Sequence, residues 1–413
     1  TGSGTFNILV RRGNDTDNNR VILESWNGVN LDPNSPKYIS KVIGDQKQEY
    51  DPQTNQIIVT GDYPNKSLYI RVKSVITPTP NYLDPNGTPK PEFTGSIPAA
   101  QNGLFNGATG QQPTNINFYD TIDSSNSQGL IGSDYNTAIS ILSNNEAYQY
   151  NVLFAPGLTN DLHTAQITSI ITNTQNRGDS LFVMDLTEYN SILADATTQA
   201  QSRDTSYSAT YWPWVRIIDP ATGKHVWVPA STVIPGVYAF NDKVSAPWFA
   251  PAGINRGGLS TVLRAQYRLS QSQKDELYEN NINPLATLTR QGVVVFGQKT
   301  LQKAASALDR VNVRRLLIEL KSYIRQIADT VVFEQNTIAT RNSFLARVTP
   351  YLETIQQKQG LYAFKVIMND SNNGPDVIDR NQLVGQIYIQ PTRTAEFISL
   401  DFILQPTGAE FPG

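Results

Sequence analysis

Cysteine is absent from all 413 residues, which removes disulfides, thiolate nucleophiles and cysteine-ligated metals together. Histidine is nearly as scarce. His163 and His225 are the only two, too far apart for a paired-histidine metal motif, and each reads as an ordinary surface or partly packed side chain. Charge is thin as well, at 17% of residues against roughly 25% in average globular proteins. The 33 basic and 36 acidic side chains leave a net of −3, with no basic excess to neutralise a phosphate backbone, so nucleic acid is not an expected partner. No run reaches the ~18 apolar residues of a spanning helix and no polybasic block is present, so direct membrane insertion is not expected either. The first residue is Thr1 and no apolar leader follows it, which suggests a chain processed or cut from a longer one.

What fills the sequence instead is Asn, Gln, Ser and Thr, with 39% apolar and 9% aromatic residues. That is too apolar for a chain disordered along its length. At ~150 residues per domain, the length suggests two or three domains.

The first ~75 residues read as β: apolar runs at 6–10 and 21–25 flank a polar turn at 13–19, and further strands are expected at 57–59 and 68–75. Residues 76–132 carry seven prolines and Asn-Gly pairs at Asn86, Asn102 and Asn106, the composition of a long excursion or a boundary. From Tyr135 the pattern alternates. A helix is expected near 138–142, and a strand at 150–154 ending at Ala155-Pro156-Gly157. A helix capped by Asn160 or Asp161 follows, then a strand at 180–186, which together make a βαβ unit. A hairpin is expected with its turn at 219–223. Beyond 247 come a capping box at Ser272 to Asp275, a strand at 292–296, a long amphipathic helix through Val313–Val331, and a second helix at 343–357. Arg315–Glu319 and Arg325–Asp329 are expected as i,i+4 pairs on the polar face of the first helix. Strands at 362–368, 386–390 and 397–404 close the chain. The fold class is α+β multidomain: a β-rich N-terminal part (1–132), an α/β middle domain (133–246) and an α+β C-terminal domain (247–413).

No constellation has the spacing that catalysis requires, so neither an enzyme nor a bound cofactor is expected. Asp15 to Asn19 starts like a calcium loop but has Arg20 where glycine is needed, and Asp370 to Gly374 reads as an Asn-Gly hairpin turn rather than a calcium site. The 155–160 segment has one glycine and no following lysine, a poor phosphate cradle. Asp185 at a strand end reads as a cap or solvated residue, with acid–base chemistry the less favoured reading. Tyr211, Trp212, Trp214 and Trp227 read as core packing before sugar stacking.

The C-terminal third resembles the tail sheath protein family of contractile phages, most closely its T-even-like branch. The residues that carry the resemblance are Ala250-Pro251-Ala252-Gly253-Ile254-Asn255-Arg256-Gly257, Tyr278 with Asn283-Pro284, and Asp309-Arg310-Val311-Asn312-Val313-Arg314-Arg315-Leu316. After these come Phe333-Glu334, Thr340-Arg341, Phe344, Val377-Ile378-Asp379-Arg380-Asn381, Ile387-Tyr388-Ile389-Gln390-Pro391 and Thr407-Gly408-Ala409-Glu410-Phe411. The resemblance implies a structural subunit that forms a helical homopolymer around an inner tail tube protein and meets baseplate and tail terminator proteins. Contraction would drive the tube through the host envelope for genome ejection. It implies a place in the virion tail, after assembly in the host cytoplasm. It also implies that terminal arms lend strands to neighbouring copies. Arg310, Arg314 and Arg315 are expected at intersubunit or tube contacts, with intramolecular pairing as the alternative, and Leu404 and Phe411 in the C-terminal arm. The same signature occurs in bacterial contractile injection systems, which stay open as an alternative, and a glycan-binding tail protein that uses Trp214 is the distant one.

Overall fold

The computed structural model describes residues 3–12, 20–51, 56–93, 95–99, 132–220, 223 and 225–396, in two compact units, Thr1–Tyr148 and Gln149–Gly413.

The first unit opens with β1 (Thr5–Arg11) and β2 (Ile22–Asn30), paired antiparallel with Leu9 opposite Ser25. The expected turn at 13–19 lies outside the described residues, but the Arg12 N–H donates to the Val21 carbonyl at 2.9 Å, as a hairpin requires. A register shift between Phe6 and Ile8 is matched on β2 by Gly28, whose φ of +66° suits glycine and whose N–H donates to Asn7 Oδ1. The short helix α1 (Ile39–Ile43) and a hairpin of β3 (Lys47–Asp51) with β4 (Gln56–Thr60) follow. Val29, Leu31, Ile43, Val72 and Phe93 are buried.

The strand expected at 68–75 is not there. The Glu24 carboxylate accepts from the Leu68 N–H at 2.9 Å and from Ser67 Oγ, and Ser67 Oγ accepts in turn from the Ile70 N–H at 3.0 Å. Side chains take the backbone donors that a ladder would use, and Leu68 is left 89% exposed. Of the three Asn-Gly turns, the first is present: Gly87 has φ +77° and donates to the Asp84 carbonyl, while Asn102 and Asn106 lie outside the described residues. α2 (Gly132–Leu142) covers the helix expected near 138–142.

The second unit is built on a five-stranded sheet. β5 (Val152–Thr159), β6 (Leu181–Asp185), β7 (Ser208–Trp212) and β11 (Asn283–Leu288) pair in parallel and β12 (Gly292–Val295) is antiparallel to β11, in the order β12-β11-β7-β6-β5. α3 (Thr164–Arg177) joins β5 to β6, which is the expected βαβ unit, and α4 (Leu193–Gln201) joins β6 to β7. Two local expectations are corrected. Ala155-Pro156-Gly157 does not end β5 but lies within it, where the register slips between Phe154 and Thr159 and Gly157 takes φ +102°. The residue before α3 is His163, not Asn160 or Asp161; it is buried, and its Nδ1 accepts the Thr159 N–H at 3.1 Å.

β8 (Val215–Ile218), β9 (His225–Val228) and β10 (Val262–Ala265) form a second sheet in the order β10-β8-β9, with the expected turn closed by the Gly223 N–H on the Asp219 carbonyl at 2.8 Å. α5 (Ile234–Val244), α6 (Gly253–Arg256) and α7 (Gln271–Glu279) flank these sheets. The capping box sits at Ser270 and Gln273, two residues before its expected place, because Gln273 can reach back to the Ser270 N–H.

α8 (Val311–Asp329) and α9 (Ile338–Gln357) make a helical hairpin backed by β13 (Leu361–Ile367) and β14 (Gln386–Pro391), antiparallel, with α10 (Pro375–Asp379) between them. Gly374 is not the positive-φ residue of a hairpin. Its φ is −72° at the start of α10, and the buried Asn373 side chain orders the turn by bonding the Asn369 and Val384 backbones. The strand expected at 397–404 lies outside the described residues. Two apolar cores result among the described residues of this unit. One gathers Val183, Tyr211, Tyr238, Leu285 and Val295 around the main sheet; the other packs Leu320, Phe344, Val348, Leu352 and Leu361 between α8, α9 and β13.

Candidate assembly surface

β13 and β14 alternate by design of the sequence. Phe364 faces Ile389 and Val366 faces Ile387 on the side packed against α8 and α9, while Lys365 and Tyr388 pair on the outer side. Tyr362 and Tyr388 are 63% and 56% exposed. Among the described residues these two strands pair only with each other, so each offers an unpaired edge of N–H and C=O groups. A two-stranded sheet is marginal alone and is held here by the helical layer beneath.

Past β14 the chain crosses to the segment before α8 and is pinned there. The Glu396 carboxylate accepts from Arg310 Nε at 2.8 Å, Gln298 Nε2 at 3.0 Å and the Tyr278 hydroxyl, and Gln298 Nε2 also bonds Thr394 Oγ1 at 2.6 Å. Arg310 has Asp309 at 3.0 Å as well. Lys299 Nζ lies over the Tyr278 ring and donates to the Tyr278 carbonyl at 2.7 Å. Burial, then Glu396, raises the Tyr278 hydroxyl well above its ordinary value; burial and the adjacent Arg310 lower the Lys299 ammonium. Burial pulls Arg310 down, but the Glu396 contact outweighs it and the guanidinium is held charged.

The other two arginines point inward. Arg315 makes two side-on bonds to Asp242, at 2.9 and 2.6 Å, with its guanidinium 4.7 Å from the Tyr238 ring centre. This replaces the expected surface pair with Glu319, because position 315 faces α5 rather than solvent. Arg314 stacks on Tyr207 at 3.9 Å and bonds the Ser206 carbonyl and hydroxyl. Both are 4% exposed. Leu404 and Phe411 lie outside the described residues. Glu396 and Lys299 escaped the sequence reading, and Tyr278 entered it only as a residue of the resemblance, because the three are brought together from distant places in the chain and no local spacing marks them as a cluster.

Asp185 is neither a solvated residue nor a surface cap. It is buried at the end of β6, where it accepts from the Ser231 N–H at 3.0 Å and from Ser231 Oγ at 2.5 Å. Burial, partly offset by those bonds, pushes its carboxyl up to about 7. Tyr211, Trp212 and Trp214 are buried, as core packing requires; Trp214 donates its indole N–H to the Thr187 carbonyl at 3.0 Å, and Trp227 alone of this group is half-buried. His225 is exposed.

This is an architecture of edges, straps and internal braces. Residues 128–301 match the phage tail sheath protein central domain and residues 303–405 the phage tail sheath C-terminal domain. The tail sheath protein of Vibrio phage KVP40 is 42% identical over 193 residues, 47% of this chain and 29% of that protein. That of Enterobacteria phage T4 is 40% identical over 185 residues, 45% of this chain and 28% of that one. That of Salmonella phage ViI is 31% identical over 289 residues, 67% of this chain and 45% of the relative. The chain belongs to the phage tail sheath family. It spans under half the length of these relatives. The same fold occurs in the anti-feeding prophage baseplate structure (TM-score 0.57, 21% identity, 67% of this chain and 75% of that one). It occurs again in the contracted sheath complex of the extracellular contractile injection system PVC (TM-score 0.54, 22% identity, 66% and 79%).

Proposed function

We propose that this chain is a subunit of a contractile tail sheath that polymerises helically around an inner tail tube and contracts to drive the tube through the host envelope. The observation that carries the reading is the matched pair of sheath domains, joined to a β13–β14 sheet that pairs with no further strand among the described residues. Partners on this reading are further copies of the chain, the inner tube protein, and the baseplate and terminator proteins at the ends. Its place is the virion tail, after assembly in the host cytoplasm. No step of this work breaks a bond in a substrate. The α/β middle and α+β C-terminal domains divide the task as outer frame and inner, tube-facing layer.

Among the residues assigned to contacts with neighbours or tube, Arg310 retains accessible side-chain surface, at 26%. Leu404 and Phe411 belong to the terminal arm, and Arg314 and Arg315 support the contact from beneath by fixing the start of α8. The phage reading is favoured over a bacterial injection system by the relatives at 40–42% identity, which are phage proteins, against 21–22% for the injection-system structures.

Electron microscopy of the full-length protein, alone and with the tube protein, tests this. Helical tubes of sheath width are expected. A full-length protein that stays monomeric at all concentrations and salt levels, with no such tubes in the native particle, would overturn the reading.

A further inference from the structure

The outer face of the three-stranded sheet carries a feature that its own chain leaves incomplete. Trp227 on β9 pairs across the ladder with Arg216 on β8, and Arg216 pairs with Arg264 on β10, so the three side chains form one row on the face away from the core. Both guanidiniums lie over the Trp227 ring, at 5.8 and 5.1 Å from its centre. The Tyr189 ring packs on Trp227 as well, with centres 5.5 Å apart, and rests in turn on the buried Trp214. The platform is therefore rigid, built on the core.

Two like charges directly opposite on neighbouring strands repel. Ring contact offsets part of that cost, but cation–π attraction does not supply a counter-charge. Among the described residues no carboxylate lies within ion-pair distance of either arginine. Arg216 Nε is buried and has no hydrogen-bond partner, while Arg264 is exposed. A forked guanidinium donor set held on an aromatic base is complementary to a carboxylate. Sugar stacking fits less well, since the faces of Trp227 are already taken by Tyr189 and the guanidiniums.

We propose that Arg216 and Arg264, held on Trp227, receive carboxylate side chains from a second copy of this chain. The inference rests on the sheath reading, which places copies side by side. Charge complementarity favours a copy as the occupant: the chain has 36 acidic residues to 33 basic, and exposed carboxylates such as Asp376 and Asp379 carry no ion pair among the described residues. A contact of this kind fixes the lateral register of copies, while strand addition links them.

The test uses the full-length protein. The Arg264→Lys variant is assembled from a mixture of ¹⁵N-labelled and unlabelled copies, treated with a zero-length carbodiimide, and digested for mass spectrometry. A mixed-isotope peptide joining position 264 to an Asp or Glu of another copy is expected. In parallel, the Arg216→Glu/Arg264→Glu variant is expected to lower tube yield at least tenfold, with its monomer circular dichroism and melting unchanged. Tubes that form normally from the double variant, with no inter-copy link to position 264, overturn the proposal and leave the sheath reading standing. So does loss of heparin binding by the double variant with unchanged tube yield, which assigns the row to a polyanion. If the unsubstituted protein forms no tubes, the sheath reading falls, and this proposal with it.

Discussion

Arg315 and Asp242 meet side-on, α8 to α5, with two bonds of 2.9 and 2.6 Å, and the guanidinium lies against Tyr238, whose hydroxyl meets that of Tyr211 at 2.6 Å. The helix that starts the C-terminal layer is thereby locked to the main sheet through a chain of polar contacts inside the core. Burial raises the Tyr238 hydroxyl to about 12, so it remains a neutral donor or acceptor throughout the physiological range.

Removing one partner of this pair leaves a buried charge without compensation. Asp242→Ala is expected to destabilise the second unit by about 3 kcal/mol, and a double replacement of Asp242 and Arg315 by Leu and Met to recover most of the loss. Urea unfolding followed by tryptophan fluorescence measures both. Equal losses in the single and double variants would contradict the coupling.

Asp185 gives stability a pH dependence opposite to that of an ion-paired carboxylate. Its folded value of about 7 stands above the ordinary 3.8, so the folded state holds the proton where the unfolded chain has released it. Its contribution therefore declines as pH rises between those two values and is flat beyond them; the full span corresponds to roughly 4 kcal/mol. Asp185→Asn is expected to remove this slope in a series of denaturation curves from pH 4 to pH 8. An unchanged slope would show that Asp185 is not its source.

Glu396 holds the strap after β14. Glu396→Ala removes three acceptor contacts and is expected to speed tryptic cleavage after Arg393 about tenfold, the effect of lowering a local opening by about 1.4 kcal/mol. Intact-mass analysis of timed digests reads this directly. Global melting should change little, since the contact closes no core.

Leu352 is fully buried between α8, α9 and β13. Leu352→Ala is expected to cost about 3 kcal/mol, cavity included, whereas Tyr362→Ala on the exposed face of β13 should lie within about 0.5 kcal/mol of the parent in the monomer. A large loss in both would place Tyr362 in the core.

The regular elements were legible because their signal is local. The alternation of β13 and β14, the helical spacing of α8 and α9, and the strand–helix–strand order of β5, α3 and β6 all follow from neighbours in sequence. Residues 68–75 read as a strand by composition, yet Glu24, more than forty positions away, accepts the Leu68 N–H and the Ser67 hydroxyl, and Ser67 Oγ takes the Tyr69 and Ile70 N–H groups. Arg315 at i,i+4 from Glu319 read as a surface pair, and only the packing of α8 on α5 shows that the arginine faces inward to Asp242. The family resemblance, carried by the APAG and NVRRL segments, named the family that the central-domain and C-terminal-domain matches show. It did not show that Arg314 and Arg315 are braces within one copy, because residue type alone does not tell an inward from an outward arginine. A charge reversal meant to probe an outer contact belongs at Arg310 rather than at Arg314, where it would break the Tyr207 stack.

The nineteen residues of α8 serve both apolar cores: Val311 and Ile318 contribute to the one around the main sheet, Leu316, Leu320 and Ile327 to the one beneath β13. At roughly 28 Å this single rod runs between the two layers with no joint along its length. A pull exerted on the hairpin is therefore delivered to the main sheet as a displacement of both cores together, rather than absorbed at a hinge between them.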